Sequence, residues 1–310
     1  MKQQSKVWLI LIALWIINGS SFLAIKVSID TIPAFLSAGI RFSVAGGILY
    51  AVYYFQKKLE HQQEHIGRRQ WRDTLILAVT LFLGGQGLLT WGSQYISSGI
   101  TGLLNSTIPL WVAILAFIIY KTKMTKMTVL GLIAGFAGLT LLIGPSIGSG
   151  ALNPIGVISL ILSSLFWAAG SLFSTKAKLP VSILASSGML MISGGLIITL
   201  TSFIFGEYSG LDLAQVSTQS WLALCYLIVI ITVVGFTDFY WLLRVTSASL
   251  ANTFAYVSPV IAVVLGWAIL HEPVDLVTIV AMIVILFGVA LMVTKSSTIK
   301  AKSPSIKKTS

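Results

Sequence analysis

Arg41 and Asp238 lie well inside long apolar runs, where an ionised side chain is costly and therefore serves substrate, protons or a fixed structural pair. Arg41 is set about eight residues, roughly 12 Å of helix, from the nearer end of its run. It either receives an anionic substrate group or pairs with a carbonyl or an acid to lock the fold, and its stem also lets the guanidinium reach outward. Asp238 precedes Arg244 by about six residues, roughly 9 Å of helix. A carboxylate there suits a coupling proton. Held by Arg244 or a neighbouring Tyr it is an interfacial residue instead, and no second embedded acid completes a relay.

Around these two charges the apolar runs carry Asn18, Ser21, Gln86, Asn105, Asn252 and Tyr256. Each either hydrogen-bonds a substrate inside a greasy pocket or ties one helix to another. Trp15 and Trp167 are candidates to wall such a pocket, whereas Trp91 and Trp241, close to run ends, suit an interfacial belt. Pro109 and Pro259 each remove the hydrogen bond to the carbonyl four residues earlier, that of Asn105 and of Ala255. In lipid such a break survives where protein or a cavity satisfies the freed group, so both prolines mark either the pathway or a packing kink.

Other chemistries find little support. His61-Gln62-Gln63-Glu64-His65 has the spacing of an inverted zinc-protease motif, but it falls in a short polar loop with no pocket and no third ligand. Cys225 is the single cysteine, so no internal disulfide forms. His271 is isolated at a loop. Glycines such as Gly131, Gly135, Gly138 and Gly144 suit close helix packing, since no strand and no Gly-Lys-Ser sequence frames them as a phosphate loop. No metal or cofactor is called for.

The elements that hold these residues follow from composition. The chain is 56% hydrophobic and only 9% charged, with mean hydropathy +0.94, too little polar surface to dissolve a globule. Lipid must be the solvent. The net charge of +11 does not point to nucleic acid, because the basic residues fall in short gaps between apolar runs rather than on one folded face.

Ten runs are long enough to cross a hydrocarbon core of about 30 Å. They are Val7–Ile29, Pro33–Phe55, Asp73–Gln94, Gly99–Tyr120, Met127–Gly144, Ile155–Thr175, Pro180–Phe205, Ser220–Leu243, Leu250–Leu270 and Val274–Val293. Period-two alternation is missing, so the runs are helices rather than barrel strands. The first run, preceded by Lys2 and Lys6, reads as a retained helix rather than a cleaved signal. With the N-terminus inside, every one of the 20 Lys and Arg residues except Lys26 and Arg41 falls on the cytoplasmic side, which also holds the C-terminus. Asp30, Glu207, Asp212, Glu272 and Asp275 fall outside. The expected address is a bacterial-type cytoplasmic (inner) membrane.

The sequence also matches itself at a shift of 150 positions, pairing Ser21 with Ser171, Lys26 with Lys176, Ser43 with Ser193 and Gly85 with Gly235. Trp91, Ser97, Pro109 and Gly138 meet Trp241, Ser247, Pro259 and Gly288 at the same shift. The units are residues 7–146 and 155–294, followed by a basic cytoplasmic tail, 295–310. Because the shift covers an odd number of spans, the second unit enters the membrane from the opposite face. Two such halves around a central cavity exchange conformations and expose a shared site first to one side and then to the other.

The order Asn18-Gly19-Ser20-Ser21-Phe22 to Lys26, Arg41-Phe42 to Ala45-Gly46, then Pro109, Gly131 and Gly138 resembles the EamA-type permeases of the drug/metabolite transporter superfamily. Phe166-Trp167-Ala168 to Lys176, Pro259, Glu272 and Gly288 resemble the second EamA unit. The resemblance runs from about Val7 to Val293. It implies ten helices in two inverted five-helix repeats, with the cavity lined mainly by the first, third and fourth helix of each half. It also implies export of amino acids, metabolites or drugs, or import of sugars. Two positions depart from it. Asn18 stands where the family often has Trp, which argues for a more polar cavity, and Thr122 stands where it has Glu, leaving that acid's role to Glu272.

The expectation is therefore a secondary transporter, an exporter of small metabolites, amino acids or drug-like compounds. It would be driven by the substrate gradient or by protons, with lipid and a small molecule as its partners. A membrane enzyme acting on lipid-linked substrates would need acid and base groups clustered at one interface, whereas this chain scatters single polar groups over several helices. A sensor or assembly subunit would bring a soluble domain, and the gaps between runs are too short for one.

Overall fold

The computed structural model describes residues 3–60, 66–121, 124–148, 152–209, 211–245 and 253–293, and among them helix is the only regular structure. Ten apolar helical stretches follow one another in this part of the chain. They are α1 Gln3–Ser28, α2 Ala34–Glu60, α3 Arg68–Gly92, α4 Ser98–Tyr120, α5 Lys126–Gly148, α6 Pro154–Ser174, α7 Ile183–Ile204, α8 Thr218–Val245, α9 Phe254–Leu270 and α10 Leu276–Val293. The first eight contain helices long and apolar enough to cross a membrane, while α9 and α10 supply the shorter apolar helices Val257–Leu270 and Leu276–Leu291. The chain is thus an all-helical, multi-pass membrane protein. Each stretch begins and ends within several residues of the run read from sequence. Asn252, the segment from His61 to His65, Thr122 and the basic tail lie outside the described residues, as do the side chains of Tyr256 and Arg244.

Why the stretches start where they do is visible at their caps. Asn153, Ser182 and Ser217 each place a side-chain oxygen on a backbone N–H of the first turn of α6, α7 and α8, and Ser97 does so for α4. Asp275 accepts from the Thr278 N–H at 2.7 Å and caps α10. The Thr278 hydroxyl and N–H hold the Asp275 carboxylate below the ordinary aspartate range.

Among the described residues, regular α geometry within these stretches fails at three places. The middle of α3, Ala78–Gly87, and the middle of α8, Leu227–Val234, are π-helical. In α4 the helix stops at Asn105 and restarts at Ile108, with Pro109 at the second position of the new segment. The proline that frees the Asn105 carbonyl therefore does interrupt its helix. Pro259, expected to do the same, does not. It sits inside α9, which runs Phe254–Leu270 through it.

Backbone landmarks recur at the 150-residue shift. Lys121 and His271, at φ 50° and 54°, end α4 and α9 and are the two non-glycine residues with positive φ among those described. Thr125 accepts from the Thr128 N–H as Asp275 does from that of Thr278. Gly67 and Ser217 are the N-caps of α3 and α8. A Cβ on Gly138 would meet Ile285 and the Ala281 carbonyl, and one on Gly288 would meet Gly135 and the Gly131 carbonyl. Since 131, 135 and 138 correspond to 281, 285 and 288, this α5–α10 contact is reciprocal, as contacts across a two-fold axis are. α2 and α7, the second stretch of each unit, pack equally closely through Gly46, Gly188 and Gly195.

Polar cross-links gather at the end of the bundle where α1 finishes. Lys26 Nζ donates to the carbonyls of Ser93, Gln94 and Ile96 at 2.7, 3.1 and 3.0 Å, closing the C-terminus of α3. Glu207, which follows α7, accepts from the backbone N–H groups of Phe35 and Leu36 at 3.2 and 3.1 Å and from the Ser202 hydroxyl. Glu272, which follows α9, accepts from the Ser98 and Gly99 N–H groups at 2.7 and 3.2 Å and from the Ser98 hydroxyl. Each carboxylate caps a first-unit helix from the second unit. At the opposite end Asp73 pairs with Arg72 at 2.9 Å and accepts from the Lys178 N–H, while Lys176 stands 3.9 Å from the centre of the Tyr120 ring.

The α5–α10 contact yields a direct test. Gly138→Leu drives side-chain atoms into the α10 backbone, 2.9 Å from the Ile285 nitrogen already at Cβ, whereas Gly144 has nothing within 4 Å. Thermal unfolding in detergent is expected to show Gly138→Leu destabilised by about 1–3 kcal/mol, with Gly144→Leu close to wild type.

Candidate functional site

Between the helices lies a cavity of about 410 Å³, within the size range of small-molecule sites. α1 contributes Asn18, Ser21, Phe22 and Ile25, one face at helical spacing. α4 contributes Gly102, Asn105, Ser106, Ile108 and Pro109 from the two sides of its break. Arg41 comes from α2, Gln86 and Leu89 from α3, Trp167 from α6, Ile231 from α8, and Phe254, Ser258 and Pro259 from α9. Helices of both units therefore form the wall. Gln86 and Ile231 belong to the two π-helical segments, so each departure from α geometry feeds a residue into the cavity.

Arg41 is the one charged residue of that wall and is only 7% exposed. Its Nε donates to the Thr232 hydroxyl at 3.0 Å, and its guanidinium carbon lies 4.8 Å from the centre of the Phe42 ring. Thr232 passes its own proton to the Leu227 carbonyl at 2.8 Å, which leaves a lone pair for the arginine. The terminal nitrogens make no hydrogen bond within the described residues, and Arg72 with Asp73 form the single ion pair there. Burying a cation without a counter-ion costs several kcal/mol.

Hydrogen-bonding capacity in the rest of the wall divides in two. One N–H of the Asn18 amide donates to the Leu14 carbonyl, the Ser21 hydroxyl donates to the Asn18 carbonyl, and the Ser106 hydroxyl to that of Leu103. The side-chain amides of Gln86 and Asn105 bond to nothing in the described protein. Buried Ser258 Oγ has no partner either. Buried polar groups in native proteins are ordinarily paired, so unpaired groups converging on one cavity make it the candidate site.

Of the side chains singled out in sequence, the fold brings Asn18, Ser21, Arg41, Gln86, Asn105 and Trp167 together with both prolines. Two stand elsewhere. Trp15 donates its Nε1 to the Thr253 hydroxyl at 3.0 Å and packs with Leu11, Leu14 and Leu242, holding α1 to the start of α9. Asp238 is not part of the cavity wall, because the turn of α8 that reaches the cavity is that of Ile231, about two helical turns away. Sequence reasoning also missed the apolar partners Phe22, Ile25 and Phe254, although spacing from Asn18 would have found the first two.

The sequence model of the EamA-like transporter family matches residues 5–144 and again residues 154–294. A protein of Escherichia coli (strain K12) described as the uncharacterized inner membrane transporter YedA is 30% identical over 91% of this chain and 89% of its own. Uncharacterized transporter YoaV of Bacillus subtilis (strain 168) is 28% identical over 92% and 95%. A crystal structure with 17% identity shares the fold at a TM-score of 0.60, covering 93% of this chain and 96% of the other. Matched twice over nearly its whole length, with the cavity formed between the two matched regions, the chain belongs to the EamA-like transporter family.

Proposed function

We propose that the protein is a secondary transporter of ten membrane helices, arranged as two inverted five-helix repeats that exchange conformations around the central cavity. It exports a small metabolite, amino acid or drug-like compound across the cytoplasmic membrane, with both chain ends on the cytoplasmic side. The observation that carries this reading is the cavity itself, a space of about 410 Å³ formed by helices of both units, its largely apolar wall set with Arg41 and several neutral polar side chains. Paired landmarks at Lys121 and His271, the matched π-helical segments and the reciprocal glycine contact of α5 and α10 support the repeat. The basic residues confined to alternate gaps support the orientation. The outward direction of transport rests on the family resemblance alone.

In this reading the end bearing Lys26 faces outward, and the Glu207 and Glu272 caps bind the two halves there. They must part when the site opens outward. With Cys225→Ala as background, a cysteine introduced at Ser21 reports access to the cavity. Labelling by a membrane-impermeant maleimide from outside is expected to speed up several-fold in the Glu207→Gln, Glu272→Gln double variant. An unchanged rate would show that these caps do not hold the outer side closed.

Transport itself is tested by comparing metabolites in a deletion strain and an overexpressing strain, then by flux of the compound so identified in proteoliposomes. The compound is expected to accumulate inside the deletion strain and in the medium of the overexpressing one. Asp238, the embedded acid of α8, is the proposed proton carrier. Asp238→Asn is expected to abolish flux driven by a pH gradient while sparing exchange, and unaltered pH-driven flux would remove that role.

A further inference from the structure

We infer that the cavity takes an organic monocarboxylate, whose carboxylate is received in bidentate fashion by the terminal nitrogens of Arg41 and whose apolar body lies against Phe22, Ile25 and Trp167. This inference rests on the proposed transport site and names the chemistry of what occupies it.

Arg41 is only partly held by the protein. Its Nε is committed to Thr232 at 3.0 Å and its plane is steadied by Phe42, so the guanidinium is fixed at one edge only. The other edge carries the parallel N–H pair that matches a carboxylate, and it has no partner among the described residues. The residue is more than nine-tenths buried and borders the cavity. A guanidinium cannot escape its charge by losing a proton at neutral pH, so the cavity retains a buried cation with its fork unspent.

The remaining wall decides the sign and shape of the ligand. Among the described residues it contains no Asp or Glu, so none of them balances an ammonium group. The break in α4 adds the ends of two half-helices, yet a helix end carries about half a unit charge and the two ends oppose each other. The Ser106 and Thr107 hydroxyls further occupy the Leu103 and Leu104 carbonyls at 2.7 and 2.6 Å, which weakens the negative end. A single full positive charge therefore governs the site. Gln86, Asn105 and Ser258 offer neutral polar contacts, and the aromatic and aliphatic residues around them favour an apolar body over a polyol or a multiply charged phosphate.

Three probes of one shape separate the possibilities: phenylacetate, its neutral amide phenylacetamide, and the cation phenethylamine. Purified protein in nanodiscs of phosphatidylcholine alone keeps anionic headgroups from competing for the guanidinium. By calorimetry phenylacetate is expected to bind at least about tenfold more tightly than either analogue, the difference one charge-assisted hydrogen-bonded pair supplies. Arg41→Gln should erase that preference and Arg41→Lys should retain part of it. Because Arg41 variants risk misfolding, the wild-type ranking stands as an independent measurement. Equal or tighter binding of the amide or the amine, or no binding of phenylacetate, overturns the inference. Flux in proteoliposomes keeps the two readings apart: binding through Arg41 without flux would sink transport and spare the anion site, whereas flux of neutral or cationic compounds that survives Arg41→Gln would do the reverse.

Discussion

A peptide group in hydrocarbon has no water to bond to, and this constraint governs the whole molecule. It makes every described apolar stretch a helix, and it makes each departure from α-helical bonding a place that must be explained. The departures are few and they converge. The π-helical segments of α3 and α8 and the interruption of α4 each contribute residues to the cavity wall. The same constraint explains why Ser and Thr hydroxyls along the helices so often bond back to carbonyls three or four residues earlier, as Ser21, Thr90 and Thr140 do.

Helix association follows a second rule of the same medium. Lipid tails are as apolar as leucine, so burial of greasy surface does little to hold helices together and close backbone approach does more. The pairs α2–α7 and α5–α10 meet through glycine, where one added carbon would strike the neighbouring backbone. Polar cross-links then act at the ends of the bundle. Glu207 and Glu272 each satisfy the first free N–H groups of a helix from the other unit, an arrangement that is strong while the ends are together and lost when they separate.

Within that frame the cavity is electrostatically lopsided. Arg41 is buried with one edge held by Thr232 and its charge unanswered, while the neighbouring amides of Gln86 and Asn105 are also unspent. The burial of Arg41 beside an interior space is the feature on which the proposed anion site rests.

Much of this was legible in the sequence. Composition and run length were enough for helices in lipid, because the demand for internal backbone bonding leaves no other choice. The shift of 150 residues was equally visible, since Pro109 with Pro259 and Gly138 with Gly288 mark positions whose backbone consequences are unusual. Intramembrane polarity picked out Arg41, Gln86, Asn105 and Trp167, because such groups are rare unless they face an interior space. What the sequence left open was direction. Trp15 and Asp238 carry the same kind of signal yet are not among the residues of the cavity wall, since where along its helix a residue meets its neighbours depends on how the helices pack. The π-helical segments in particular rotate everything beyond them, and nothing in Ala78–Gly87 or Leu227–Val234 announces that rotation. The partner chosen by Arg41 and the helices capped by Glu207 and Glu272 were likewise decided only by packing, because each depends on groups more than a hundred residues away in the chain.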